Sequence, residues 1–392
     1  MKKLLTALLC AGLLFSGLPG CTAPQSSSSS SSISTESAFP PPAFSSEASS
    51  SAPEISSVPE PSSSEPEPEP EPPEPVVFQW ETGLPEDHGI DPSALETLHT
   101  SLTGTGIYAV LTVRDGVIVD EYYQDGYSQE SIFPLHSCSK SFTSTLIGLA
   151  LEEGLIDSLD ASIETWFPQL AGEPKGQITI RDLLMHKSGL EWHEWDGDSF
   201  FALNRSENWV DYVLSQPLFY EPGTVFSYTT GGTHLLAAIL EQAAEGGMLK
   251  YAEEKLFTPL GMESVQWGTD PQGILDGGNG IRMTARDAAR FGQLFLNNGL
   301  WEGERLVPED WIAQATTIHE QRYGGGGSYG YQWWIRSFGQ QGYDSFFAMG
   351  AFGQFIFVVP ELSLVTVIAA NTSQFAPYPY FETILNACQA EY

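Results

Sequence analysis

The chain has 392 residues, with 50 acidic and 16 basic side chains and a formal net charge of -34. A surface that acidic excludes nucleic acid as a partner and excludes electrostatic docking on anionic lipid. The four cysteines form no C-x-x-C pair and no H-E-x-x-H run occurs, so no metal site and no cofactor are expected.

The elements follow in chain order. Residues 1–20 begin MKKLL, two lysines ahead of an apolar stretch too short for an ordinary membrane span, and read as an export signal. Leu18-Pro19-Gly20-Cys21 is similar to a bacterial lipobox, which implies cleavage before Cys21 and lipid attachment to its thiol; the alternative is a plain secretory signal with an incidental cysteine. Residues 21–75 are mostly Ser, Pro, Glu and Ala, with too little apolar content to build a core. At about 3.1 Å per residue for proline-rich chain, such a tether reaches at most ~170 Å from its anchor. The expected location is the outer face of the cell membrane, lipid-anchored. Residues 1–75 carry 2 Lys and 9 Glu, a net of -7, so -27 of the charge belongs to the remainder.

Residues 76–392 hold enough aromatic and aliphatic runs for one large core in two lobes. A short helix is predicted near Pro92–Leu102. IYAVLTVRDGVIVDEYY then reads as two alternating strands around Asp115-Gly116, a strong hairpin signal. The stretch from Ser137 to about Gly154 spaces Phe142, Leu146 and Leu149 as a helix and fills most other positions with small residues, so the helix is expected to be buried nearly all round. Helices and loops continue to about residue 298. Strands return in SYGYQWWI, DSFFAMG, GQFIFVV and LSLVTVIAAN, the last pair joined at Pro360-Glu361, and a closing helix is predicted near 380–390. Strands at both ends with helices between them predict an α+β fold: an antiparallel sheet from the N- and C-terminal strands, flanked by helices, with an inserted all-helical lobe over about 155–298.

The chemistry is concentrated in Ser137-Cys138-Ser139-Lys140, an S-x-x-K tetrapeptide at the start of that buried helix. Positions i and i+3 share a helix face, with Cβ atoms roughly 5–6 Å apart, so a hydroxyl and an amine placed there can share a proton. Burial would lower the lysine's pKa and make it a usable base near neutral pH. Alone, the tetrapeptide is weak evidence and needs companions elsewhere in the chain. Thr179 and Thr284, each followed three residues later by aspartate, read as helix caps. His186 and His234 read as hydrogen-bonded core histidines rather than bases, and His136 is expected to point away from Ser137. Cys138 and Cys388 are expected to be free core thiols. Trp192 and Trp195 are candidates for either pocket wall or core.

HSCSKSFTS, ITIRDLLMHKSGL, PGTVFSYTTGGTHLLAAIL, GIRMTARDAARFGQLFLNNGLWEGERLVPEDW, YGYQWW and AMGAFGQFIFVVPEL, in that order, resemble the class C β-lactamase-related serine hydrolases from about Trp80 to the C-terminus. That superfamily includes esterases, D-amino-acid peptidases and 6-aminohexanoate-oligomer hydrolases, and the wording is most similar to the last branch. The resemblance implies Ser137 as nucleophile, Lys140 as its base, and Tyr228 of Tyr228-Thr229-Thr230 as a proton shuttle in the second motif, Y-x-N. Thr230 stands where the asparagine would contact substrate. The third motif, K-T-G or H-x-G, aligns with Ala348-Met349-Gly350, so Gly350 is kept as a substrate-binding position and the cation is lost. The backbone N–H groups of Ser137 and Ala351 would then form the oxyanion hole. A small-molecule or peptide amide or ester is the expected substrate; capture of a β-lactam carboxylate is not. The rivals are a non-catalytic ligand- or cell-wall-binding protein on a degenerate fold, and a cell-wall transpeptidase or carboxypeptidase. Oligomeric state is not legible.

Overall fold

The computed structural model describes residues 78–194, 198–322 and 324–388. The export signal, Cys21, the tether and Trp195 lie outside them. One unit spans Pro73–Tyr392 and contains all the elements described below.

Helix α1 (Pro92–Leu102) starts with Pro92 behind Asp91, whose carboxylate accepts from the Ser93 N–H, and buries Leu95, Leu98 and Leu102 at helical spacing. Strands β1 (Ile107–Arg114) and β2 (Val117–Tyr123) are joined by Asp115 at φ 54° and Gly116 at φ 80°, the left-handed pair that matches the twist of a hairpin. After β3 (Phe133–Pro134) the chain makes a single 3-10 turn, His136–Cys138, and enters α2 (Ser139–Glu152). Ser137 therefore sits in the turn that precedes the α-helix. As expected, α2 is buried from Ser139 through Ala150.

The middle of the chain contributes α3 (Ile180–Leu184), α4 (Ser199–Arg205), α5 (Trp209–Ser215), α6 (Thr230–Ala243) and α7 (Gly247–Ala252). Thr179 caps α3 with a reciprocal bond from its own N–H to Asp182. Next come β4 (Gln266–Trp267), β5 (Ile281–Met283) and α8 (Ala285–Leu296), which Thr284 caps. The helical lobe ends earlier than the expected limit near 298, because α8 packs across the sheet rather than against α6. Its apolar face reads the same in sequence whichever layer it covers.

The hairpin β6 (Leu300–Trp301) and β7 (Glu304–Arg305) and helix α9 (Glu309–Ala315) lead into β8 (Ser328–Tyr329), β9 (Trp334–Phe338), β10 (Tyr343–Gly350), β11 (Gln354–Val359), β12 (Leu364–Ala370) and α10 (Tyr378–Ala387). The run SYGYQWWI is broken between β8 and β9: Gln332 takes φ 64°, and Gly330 lies so close to Ala315 that a Cβ would sit 2.2 Å from its carbonyl oxygen. The break frees the Gln332 amide to donate to the Leu183 and Leu184 carbonyls, tying the lobe to the sheet.

Seven strands form one antiparallel sheet in the order β2-β1-β12-β11-β10-β9-β8, uniting the N- and C-terminal strands. Alternate residues of its central strands feed two cores. Leu111, Ile356, Val358 and Val367 face α2 and α8, whereas Val110, Phe355, Phe357 and Ile368 face α1 and α10. Burial on both faces explains why these strands read as continuous apolar runs. The fold is a mixed helix and antiparallel-sheet architecture, as the sequence predicts.

Candidate active site

The turn carrying Ser137 is tied to β5 and to the start of its own helix. Phe133 pairs with Met283, the Leu135 N–H donates to the Ile281 carbonyl, and the Ser139 hydroxyl donates to the His136 carbonyl while accepting from the Ile281 N–H. His136 is strained at φ 48°, a conformation that costs a non-glycine residue of order 1 kcal/mol or more and persists only where the surroundings impose it. Its imidazole points away from Ser137, hydrogen-bonded to Asn279 and edge-on to Phe352, with burial pushing its pKa down. Ser137 itself is half-buried and remains reachable.

One turn along, Lys140 is 1% exposed. As an ammonium, its Nζ donates to the Gly278 carbonyl at 2.7 Å, to Thr230 Oγ1 at 2.9 Å and to Ser137 Oγ at 3.3 Å. Burial drives its pKa down from 10.5 to about 8, against the opposing pull of Glu194 and Asp276. The Tyr228 ring lies 5.0 Å from Nζ, and its phenol is hydrogen-bonded to Ser137. Burial raises that phenol far above its ordinary range, so it stays neutral and can donate a proton. Two distant stretches thus converge as the motif order implied: Ser137 and Lys140 of one turn share a contact cluster with Tyr228.

Tyr228 is positioned by aromatic packing and by His186. Trp334 stacks on it at 5.9 Å and the His186 ring centroid lies 4.4 Å away. His186 is buried, accepts from the Thr229 N–H through Nδ1 and faces the Tyr329 hydroxyl through Nε2. Burial, with Lys140 and Arg322 nearby, holds it well below its usual pKa, so it acts as a neutral strut. His234 is also a core histidine, its Nε2 3.1 Å from Asp270 with both side chains fully buried. Cys138 and Cys388 are free and buried.

Thr230 is placed differently from the expectation of a substrate contact. As the first residue of α6 it is buried, accepts from Lys140 and donates its hydroxyl to Glu194, which also accepts the Thr230 N–H at 3.0 Å. Glu194 takes a further bond from the Trp192 indole N–H. Trp192 is core, closing over Gly231 where an added Cβ would meet its ring at 2.7 Å.

Gly350 ends β10 directly against Leu135. A Cβ there would lie 2.0 Å from the Leu135 carbonyl oxygen, so only glycine lets the two backbones meet. That approach sets the spacing between Ser137, two residues past Leu135, and Ala351, the residue after Gly350. Ala351 opens the β10–β11 turn, with Phe352 at φ 63° and Gly353 at φ 88°. Ala348 and Met349 are buried, so no side-chain charge replaces the missing cation on this strand.

Glu194, Gly278 and Asp276 were not singled out by sequence reasoning. Gly278 had a signal in DGGNG, residues 276–280, since a chain threading between two helices needs glycine: a Cβ at 278 would sit 2.8 Å from Thr230 Cγ2 and 3.4 Å from Lys140 Nζ. Glu194 had none, lying in an irregular loop. Among the described residues no cluster of potential metal ligands occurs and no helix is long and apolar enough to cross a membrane.

The chain as a whole is similar to known proteins. The chain is 27% identical over 296 residues to a 6-aminohexanoate-dimer hydrolase of Paenarthrobacter ureafaciens, spanning 70% of this chain and 74% of that one. A D-aminopeptidase of Brucella anthropi is 25% identical over 196 residues, 45% of this chain and 36% of its own. A solved Bacillus anthracis structure, provisionally named a 6-aminohexanoate-dimer hydrolase, superposes with a TM-score of 0.64 at 27% identity over 79% of this chain and 86% of that one. The octameric penicillin-binding protein homologue of Pyrococcus abyssi shares the fold, with a TM-score of 0.61 at 22% identity over 76% and 77% of the two chains. The model of the beta-lactamase family matches residues 95–391, and with the Ser137, Lys140 and Tyr228 cluster inside that span the chain belongs to the beta-lactamase family.

Proposed function

We propose that this protein is a serine hydrolase that cleaves an amide or ester through an acyl-enzyme. The carrying observation is the 3.3 Å approach of the buried Lys140 Nζ to Ser137 Oγ. Neutral Lys140 takes the Ser137 proton as Oγ bonds to the substrate carbonyl carbon, and the carbonyl oxygen becomes an oxyanion facing the Ser137 and Ala351 N–H groups. Collapse breaks the bond to the leaving amine or alkoxide, which takes a proton relayed through the Tyr228 phenol. Water then adds to the acyl carbon, gives its proton back along the same route and frees the acid and Ser137.

Hydrolase relatives that act on a 6-aminohexanoate dimer and on D-amino-acid substrates support a small amide or peptide as substrate. The loss of a cation at Ala348-Met349 argues against capture of a β-lactam carboxylate there. Anchorage through a lipid on Cys21, outside the cytoplasm, is the matching proposal for location, and Cys21→Ser should release the protein from the membrane fraction.

A panel of activated esters, 6-aminohexanoate dimer and D-aminoacyl amides, assayed with wild-type protein and Ser137→Ala, tests the reading. Hydrolysis that vanishes in the variant is expected. Tight binding of such compounds without turnover would favour the degenerate, ligand-binding alternative.

A further inference from the structure

We infer that Glu194 is a positioning residue that fixes the direction of the hydrogen bonds around Lys140 and so keeps the amine's lone pair aimed at Ser137; this rests on the acyl-transfer reading above. A neutral amine has two N–H bonds and one lone pair, and three oxygens surround Nζ. The Gly278 carbonyl, at 2.7 Å, can only accept. A threonine hydroxyl can donate or accept, and Thr230 Oγ1 at 2.9 Å could in principle fill the lone pair that Ser137 needs.

Glu194 removes that option. It accepts the Thr230 hydroxyl proton and, 3.0 Å away, the Thr230 N–H, so Thr230 Oγ1 is left to accept from Lys140. Both amine hydrogens are then spent on Gly278 and Thr230, and the lone pair faces the third and longest contact, Ser137 Oγ at 3.3 Å. The Trp192 indole N–H pins the carboxylate from behind.

The charged and titratable groups around Lys140 are Glu194, Asp276, Tyr228, His186 and its neighbour Cys138. Glu194 is the first of those that favour the ammonium, so removing its charge should ease deprotonation of the lysine.

The test compares Glu194→Gln, Thr230→Val and Thr230→Ser with wild type, using p-nitrophenyl acetate turnover across pH and the rate of fluorophosphonate labelling. The two Thr230 donors use different oxygens of the Glu194 carboxylate, and glutamine keeps only one acceptor oxygen. Glu194→Gln should therefore lower kcat about tenfold or more with KM little changed, and shift the acid limb of kcat/KM down by roughly half a unit to one unit. Thr230→Val should lose a similar factor, the double variant should lose little more than either single one, and Thr230→Ser should stay within about threefold of wild type. If Glu194 only caps α6, Glu194→Gln will lower the melting temperature while leaving kcat and the labelling rate on the high-pH plateau where they were, which overturns the inference. Should Glu194→Gln fail to fold, Thr230→Val carries the same comparison, and unchanged kcat in it overturns the inference equally. Wild-type protein that is neither labelled nor active would instead bring down the hydrolase reading itself.

Discussion

The pH dependence of turnover follows from where Lys140 sits. At its ordinary pKa of 10.5 only about three lysines in ten thousand would be neutral at pH 7, whereas at about 8 roughly one in ten is, a gain of ~300-fold in usable base. The sign is fixed by the role: a base must be deprotonated, so kcat/KM should rise about tenfold per pH unit below the limb and level off above pH ~8. The same depression means that between about pH 8 and 10.5 the unfolded chain holds a proton that the folded chain has lost. The cost of burying this lysine, about 3 kcal/mol below that window, therefore fades as pH rises through it. The assay is initial-rate hydrolysis of an activated ester from pH 5.5 to 10, with Lys140→Ala as control, expected to lose about 100- to 10,000-fold. A limb below about 6.5 would point to His136 or His186, whose pKa burial pushes down, and refute the assignment. A flat profile would refute it too.

Two further perturbations probe the scaffold. Gly350→Ala places a Cβ 2.0 Å from the Leu135 carbonyl oxygen, so β10 or the Ser137 turn must move; a stability loss of about 1–3 kcal/mol with at least a tenfold fall in kcat/KM is expected by thermal melting and steady-state kinetics. Unchanged kinetics would show that the contact does not set the site. Asp270→Asn removes the carboxylate that faces the buried His234 Nε2 at 3.1 Å and should cost about 1–3 kcal/mol in urea denaturation at pH 7; a loss below ~0.5 kcal/mol would mean the pair is not held as described.

What could be read from the chain divides along the range of the interactions. The Asp115-Gly116 hairpin, the Thr179 and Thr284 caps and the S-x-x-K face depend on residues within four positions of each other, and each is found as expected. The Lys140 cradle depends on residues 54 to 138 positions away, and propensity carries no trace of them. Thr230 was legible as a departure from Y-x-N, but its bond to Glu194 was not, because that loop has no regular structure to anticipate. SYGYQWWI reads as one strand since every residue is apolar or neutral, and only the close pass of Gly330 over Ala315 shows why it breaks. The limit of the helical lobe was misplaced for a similar reason: the amphipathic α8 declares that it covers something, not what.

The most direct test is covalent. Purified full-length protein is treated with a fluorophosphonate, digested, and the modified peptide mapped by mass spectrometry, with Ser137→Ala alongside. Modification of Ser137 alone, absent from the variant and faster above pH 8 than at pH 6, is the expected result. No adduct on active, folded protein, or an adduct on a serine other than 137, would contradict acyl transfer by the Ser137, Lys140 and Tyr228 cluster.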